Sequence, residues 1–388
     1  MSKILFNDRM SIKTVDETET KSYVCEFHQN FVIAAQNAHD KYDWKHSGEG
    51  AIFRGDTDAE NATPTKNIAY FNSLRFLSEN EIIYSVTVDE ISCVMRKDLS
   101  TDKDNEGHIV HSREYVYNGA SPNKNGTAFV SCLKTNEVNS HLAIFNLSDN
   151  DYYTVTDGDS CDFDATYSRA DNDYVLFATK GAGRNKQGEF VKYSQSSIYR
   201  YDTLNGDVEE LLCKKDYSLV KPKDDENGNL YYISKPEDVD KRSVWGVLLD
   251  IILIPWHLLV AIYRFLEAFT LIFTGRKFIK DGSDPVKTKD RNDGKILIEG
   301  NLINAEKEYK RNLRHKDAFA GYAPHSWELI KKAKDGTETV MAKGVINYCI
   351  SPAGEIYFTN GKHVVKITAD GKREKIADTS LCTEIDCY

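Results

Sequence analysis

Short apolar runs closed by polar turns recur along most of the chain, a pattern that predicts strands rather than helices. The clearest runs end in a small polar residue: IIYS at 82–85, AFVS at 128–131, LFAT at 176–179, YYIS at 231–234 and IYFT at 356–359. Most follow a turn such as Ser121-Pro122-Asn123-Lys124-Asn125-Gly126, Asp224-Asp225-Glu226-Asn227-Gly228 or Ser351-Pro352-Ala353-Gly354. These residues supply the fixed or positive φ that a tight hairpin demands. A further strand follows each run (ISCVMRKD at 91–98, HLAIFNLS at 141–148, SIYRYDT at 197–203, SWELIKKA at 326–333, HVVKITAD at 363–370). A last one comes after another polar turn, as in YYTVT, VEELL, ETVMA and REKIA. With the strand ahead of each turn, the unit is four antiparallel strands.

IIYS and AFVS begin 46 residues apart, and LFAT begins 48 further on. That period matches one blade of a β-propeller. Weaker copies, ILFN at 4–7 and VIAA at 32–35, bring the count to seven blades. Only 28 residues separate those two, so six is the alternative. The final segment, Cys382–Tyr388, reads as a strand with no partner after it, and Lys3–Asn7 as a second strand with no first. Joining them in one blade removes two sheet edges. The units resemble TolB-type or WD40-like propeller repeats, with Ser121-Pro122-Asn123 and Ser351-Pro352-Ala353-Gly354 as the closest matches and no Trp-Asp dipeptide. The resemblance covers most of the chain outside 236–325. It implies an all-β fold, a single β-propeller, and nothing about activity.

One unit is interrupted. YYIS at 231–234 should meet its partner strand within a short turn, yet SWELIKKA begins only at Ser326. The chain therefore divides into propeller at 1–235, a helical apolar insertion at 236–325, and propeller with ring closure at 326–388. The insert opens with VWGVLLDIILIPWHLLVAIYRFLEAFTLIFTG at 244–275, and an amphipathic helical pattern follows (Leu302, Ala305, Tyr309, Leu313). The apolar run is long enough for one bilayer crossing of about 20 residues. Its two ends belong to one blade, so a single crossing is excluded, and there is too little apolar sequence for two. A helix lying in the interface, a re-entrant hairpin or a helix buried in protein are the remaining forms.

Asp250, His257 and Arg264 recur every seven residues with Glu267 three further on, so a helix places them on one stripe. The rest of its surface is apolar. Trp245, Trp256 and Tyr263 suit the headgroup boundary. The expected contact residues are Trp245, Leu248, Leu249, Ile252, Trp256, Leu259, Phe265, Phe269 and Phe273, with Arg276 and Lys277 at the rim. Segment 235–325 holds 16 Lys and Arg against 13 Asp and Glu within a chain of net charge −10. A membrane with anionic lipid therefore attracts the insert and repels the rest. Three long second-to-third-strand loops, 36–50, 180–196 and the insert, fall on one face, the expected working surface.

The acidic balance argues against nucleic acid. The eight cysteines form no Cys-x-x-Cys pair and fall mostly in strand-like runs, which favours a reducing compartment. MSKILFNDRM lacks the apolar core of a secretory signal. Neither Gly-x-Ser-x-Gly nor a phosphate-binding Gly-x-x-x-x-Gly-Lys occurs. His39, Asp40, Asp43 and His46, and separately Asp157, Asp159, Asp162 and Asp164, offer metal-type ligands without an established spacing; both read better as solvated or structural groups. Lys180, Arg184, Lys186 and Lys192 form a basic loop suited to acidic lipid, a partner or solvent alone.

The expectation is a cytoplasmic, non-enzymatic scaffold without cofactor or metal. It docks on membrane lipid or an integral membrane protein through the insert and holds a protein partner on its top face. A propeller hydrolase or lactonase with a metal in the central channel is the first alternative. An obligate subunit whose insert is buried by its partner is the second.

Overall fold

The computed structural model describes residues 2–16, 19–42, 69–101, 105–149, 151–237, 295–298, 301–315, 318–368 and 371–388. These form two compact units: residues Met1–Pro236 with Ile296–Tyr388, and Glu237–Lys295. The first unit is mostly β, a propeller-like arrangement of small sheets.

The first sheet joins both ends of the chain. Strands β1 (Ile4–Asp8), β2 (Ser11–Val15) and β3 (Thr20–Val24) follow in sequence, and the last strand, β27 (Ile385–Cys387), pairs antiparallel with β1 through Ile4↔Cys387 and Phe6↔Ile385. Asn7 fixes the junction. Its Oδ1 accepts the Thr383 and Glu384 N–H groups at 2.9 and 2.8 Å. The second sheet is β4 (Ala69–Ser78), β5 (Glu81–Val88), β6 (Ile91–Asp98) and β7 (Glu106–Ser112).

A nine-stranded sheet follows. It contains the run β8 (Val116–Pro122), β9 (Ala128–Lys134), β10 (Ser140–Asn146), β11 (Tyr152–Thr154), and the run β12 (Ser160–Tyr167), β13 (Tyr174–Arg184), β15 (Ser197–Asp202), β16 (Val208–Leu212). A parallel contact at Ser140↔Cys161 joins the two runs, and β14 (Phe190–Tyr193) extends β13 as a ribbon. The next sheet is β17 (Tyr217–Asp224), β18 (Leu230–Pro236), β21 (Glu328–Lys332) and β22 (Glu338–Lys343). Strands β23 (Asn347–Ile350), β24 (Ile356–Thr359), β25 (His363–Ile367) and β26 (Arg373–Asp378) form the last four-stranded sheet. A separate pair, β19 (Lys295–Ile298) and β20 (Asn301–Asn304), precedes the second helix.

The continuous apolar runs of the second strands have a direct cause. Both faces of these second strands are covered by neighbours, so successive side chains enter different clusters. Ile82 and Tyr84 pack with Leu5 and Leu74, whereas Ile83 packs with Phe129 and Phe145. Val130 joins Phe177 and Tyr201, Tyr232 joins Ile198, and Ile233 joins Tyr348 and Phe358. Tyr357 completes the series with Ile4 and Ile385. The turns follow equally local chemistry. Asp225 accepts the Asn227 and Asn229 N–H groups at 3.0 and 2.9 Å, and Gly228 closes the turn at φ +75°, the left-handed region that favours glycine.

VIAA at 32–35, read as a strand and counted towards seven blades, is instead part of helix α1 (Glu26–Tyr42). Phe27 and Phe31 dock four residues apart on the cluster around Tyr84, a helical spacing that overrides the local β-branched pair. The Glu106 carboxylate accepts the first N–H groups, Glu26 at 3.2 Å and Phe27 at 2.8 Å, where the helix dipole favours an anion. Lys97, itself buried, neutralises Glu106 at 3.1 Å. Two further expectations change. Loop 36–50 belongs to the connection between β3 and β4 rather than to a second-to-third-strand loop. Leu302 lies in β20, so the helical pattern begins only at α2 (Ala305–Arg314).

Candidate functional site

First strands β4, β8, β12 and β17 pack in succession, β27 packs on β4, and β23 packs on β27. Four of them carry a β-bulge: Phe71/Ser73, Asn118/Ser121, Phe163/Thr166 and Val220/Lys223. A bulge adds a residue and re-aims its side chain. Asp164 and Lys221 occupy two of these bulges at φ +55° and +52°, unusual for non-glycine residues.

Their side chains meet. Lys221 Nζ lies 3.2 Å from Asp164 and 3.5 Å from Glu384, and Arg75 lies 3.6 Å from the other Glu384 oxygen. The Lys221 N–H also donates to Asp164 at 3.0 Å, and the Tyr348 hydroxyl donates to the Lys221 carbonyl at 2.7 Å. Asp386 accepts the Phe76 N–H at 2.9 Å. Lys223 donates to the Tyr348 carbonyl. Burial, then repulsion by Arg75, pushes the Lys223 ammonium pKa down to about 7 against the pull of Asp386. Arg169 donates to the Ile350 carbonyl, and its N–H meets Asp224 at 2.7 Å. Burial raises the Asp224 pKa despite hydrogen bonds from Ser168 and Arg169.

This network ties separate sheets together with opposite charges. A divalent ion there would have to displace Lys221 and Arg75 from Asp164 and Glu384. Among the described residues no three His, Cys, Asp or Glu converge as metal ligands. Sequence reading missed the network. Its signal was present: charged residues interrupt the strand-like runs FDAT, LVKPKD and EIDC.

The acidic quartet does not converge. Asp159 pairs with Arg184 at 2.6 Å, Asp162 accepts the Thr179 hydroxyl at 2.5 Å, and Asp164 belongs to Lys221. Asp40 accepts from Gln36 at 2.8 Å on the last turns of α1, while Asp43 and His46 lie outside the described residues. All eight cysteines are free thiols.

The opposite feature is one crowded end of the sheets. In each sheet the second strand ends where the first begins (Tyr217↔Pro236, Ser160↔Gly181, Ala69↔Val88). Antiparallel alternation therefore brings α1, the β13–β14 ribbon, the points where the chain leaves after β18 and re-enters before β21, and loop 360–362 to the same end.

Helix α2 docks there. Asn304 caps it, accepting the Lys307 N–H at 2.9 Å, and buried Asn312 donates to the Gly321 and Ala323 carbonyls at 2.9 and 2.7 Å. Lys362 lies 3.8 Å over the Tyr309 ring. Leu313, expected on the apolar face, is 51% exposed because Asn312 takes the inward position. Gly321 is required: a Cβ would come within 2.2 Å of Asn360. The adjoining cleft, between Asn312, Phe319, Lys343 and Arg373, measures about 10 Å³, room for one water.

Trp245, Leu248, Leu249, Ile252, Trp256, Leu259, Phe265, Phe269, Phe273, Arg276 and Lys277 lie outside the described residues. Among the described residues no helix is long and apolar enough to cross a membrane.

Compared with solved structures, the chain resembles TolB from Acinetobacter baumannii, with a TM-score of 0.52 at 11% identity over 100% of this chain. It spans 66% of the length of that protein. It also matches the nidogen/laminin complex structure (TM-score 0.47, 9% identity, 100% of this chain and 98% of that one). A TolB from Agrobacterium tumefaciens described as putative matches over 82% of this chain and 84% of its own, at TM-score 0.44 and 10% identity. The likeness to TolB is distant and concerns the fold alone. No protein-family model and no curated protein matches the sequence.

Proposed function

We propose that this chain is a six-bladed propeller acting as a non-enzymatic, cytoplasmic scaffold. It docks on a membrane, or on a membrane protein, through the apolar run at 244–275. Counting the two runs of the nine-stranded sheet separately and removing VIAA from the repeat supports six.

One observation carries the docking reading. Strands β18 and β21, on either side of the insert, pair directly through Tyr232↔Ile330 and Ser234↔Glu328. The chain leaves one strand of a sheet and returns to its immediate neighbour. An apolar run tethered in this way enters an interface and comes back, whether that interface is lipid or protein. The crowded end of the sheets, where the chain leaves after β18 and re-enters before β21, presents the partner-binding surface. The ion pairs of Asp164 and Glu384 favour a structural central channel over the metal-dependent hydrolase alternative.

Sedimentation with vesicles tests the reading. Full-length protein is expected in the pellet with vesicles of phosphatidylcholine and phosphatidylserine, and a chain lacking 241–280 in the supernatant. Full-length protein remaining in the supernatant would refute lipid docking.

A further inference from the structure

From the β13–β14 ribbon we infer a second contact, a basic and apolar finger that binds the anionic headgroups of the same membrane. The inference rests on the docking reading above and gives it a lipid class. The ribbon is an addition to its sheet. Strand β13 runs past its partner β15, which begins at Ser197↔Thr179, and continues to Arg184, where β14 turns back through Arg184↔Phe190, Gly183↔Lys192 and Ala182↔Tyr193.

Its composition is unlike that of a solvated hairpin. Phe190 and Val191 are 38% and 59% exposed near its tip. Lys186 and Lys192 are exposed beside them, and among the described residues no carboxylate pairs with either. The other charged side chains of the ribbon are engaged. Arg184 is bidentate to Asp159 at 2.6 and 2.8 Å, Lys180 stacks on Tyr193 at 4.1 Å, and Glu189, the one carboxylate on the finger, keeps its charge while accepting from Asn185 at 2.8 Å, so the cations outnumber it.

The ribbon is also rigid at its base. The Tyr193 hydroxyl donates to the Val138 carbonyl at 2.5 Å, and the Gly181 N–H donates to Ser194 Oγ at 2.9 Å. The result is a braced finger with two exposed apolar side chains flanked by two available ammonium groups, in a chain of net charge −10. Apolar tips that enter the acyl boundary and lysines that meet lipid phosphate and carboxylate are the chemistry of interfacial binding. A partner protein with an acidic groove offers the same charge without the acyl layer. The exposed Phe190 and Val191 favour lipid.

Full-length Lys186→Gln/Lys192→Gln and Phe190→Ser/Val191→Ser chains test it against vesicles of phosphatidylcholine alone and with phosphatidylserine. A thermal melt of each confirms the fold. Loss of both lysines is expected to weaken binding to the anionic vesicles roughly 25-fold, about fivefold per lysine, and to leave neutral vesicles unchanged. The serine pair is expected to weaken binding to both. Undiminished anionic-vesicle binding by the lysine variant overturns the finger and leaves the insert reading intact. Wild type that binds neither vesicle overturns both. A lysine variant that loses only protein-containing native membranes, with pure vesicles unaffected, overturns lipid in favour of a protein partner.

Discussion

Deleting Cys382–Tyr388 is expected to abolish the cooperative fold of the propeller. The segment supplies β27, which pairs with β1 and buries Ile385 and Cys387 in one of the clusters between sheets, and Cys382 ahead of the strand joins the same cluster. It also supplies Glu384, which lies against Lys221 and Arg75. Removing one partner of a buried ion pair costs about 3–5 kcal/mol, and losing a buried Ile side chain about 2–5 kcal/mol more. Deletion also exposes the edge of β1 to pairing with other chains. Against a typical net stability of about 5–15 kcal/mol, these losses leave little of the folded state. The truncated protein should aggregate or lack a sharp melting transition, whereas removal of Tyr388 alone, which is 52% exposed, should melt like the full chain. A truncated chain that melts within about 1.5 °C of full length would show that closure contributes little, on the order of 1 kcal/mol or less.

Replacing Lys223 with Met is expected to stabilise the protein at pH 6 and to lose that advantage as the pH rises. Burial, then Arg75, depresses the Lys223 pKa to about 7 from 10.5. Below pH 7 the amine is protonated in both folded and unfolded chains, and the folded chain carries the full cost of the confined ammonium. Between about 7 and 10.5 the folded chain sheds the proton while the unfolded chain keeps it. The unfolded state then binds more protons, and stability rises with pH. The gain is at most about 1.4 kcal/mol per pH unit for one group. Denaturant melts at pH 6 and pH 9 should therefore show the gap between Lys223→Met and wild type shrinking. A gap independent of pH would contradict the assignment.

The second strands were the most legible part of the sequence because their environment is double-sided. Tyr232 and Ile233 serve two different clusters, so the run is apolar without alternation and stands out from its turns. Ring closure was legible for a related reason: Ile385 and Cys387 read as an apolar strand outside the four-strand unit before it, and its partner is β1. The fourth strands were fainter, since Tyr152–Thr154 and Val208–Glu210 face solvent and need little apolar content. Helix α1 was hidden because its docking residues, Phe27 and Phe31, precede an apolar stretch whose Val32 and Ile33 are exposed. Likewise α2 is held by Asn312, a polar residue that no apolar periodicity marks. The charge network required knowing that the first strands converge, since Asp164, Lys221 and Glu384 are 57 or more residues apart.

Docking on lipid through the 244–275 run requires the indoles of the insert to reach the acyl layer. Of the four tryptophans, Trp44, Trp245, Trp256 and Trp327, two belong to the insert. A Trp44→Phe/Trp327→Phe chain would report on Trp245 and Trp256 alone. Bound to anionic vesicles of brominated phospholipid, it should show blue-shifted emission that is strongly quenched. Unshifted, unquenched emission from protein that has sedimented with those vesicles would contradict insertion of the 244–275 run.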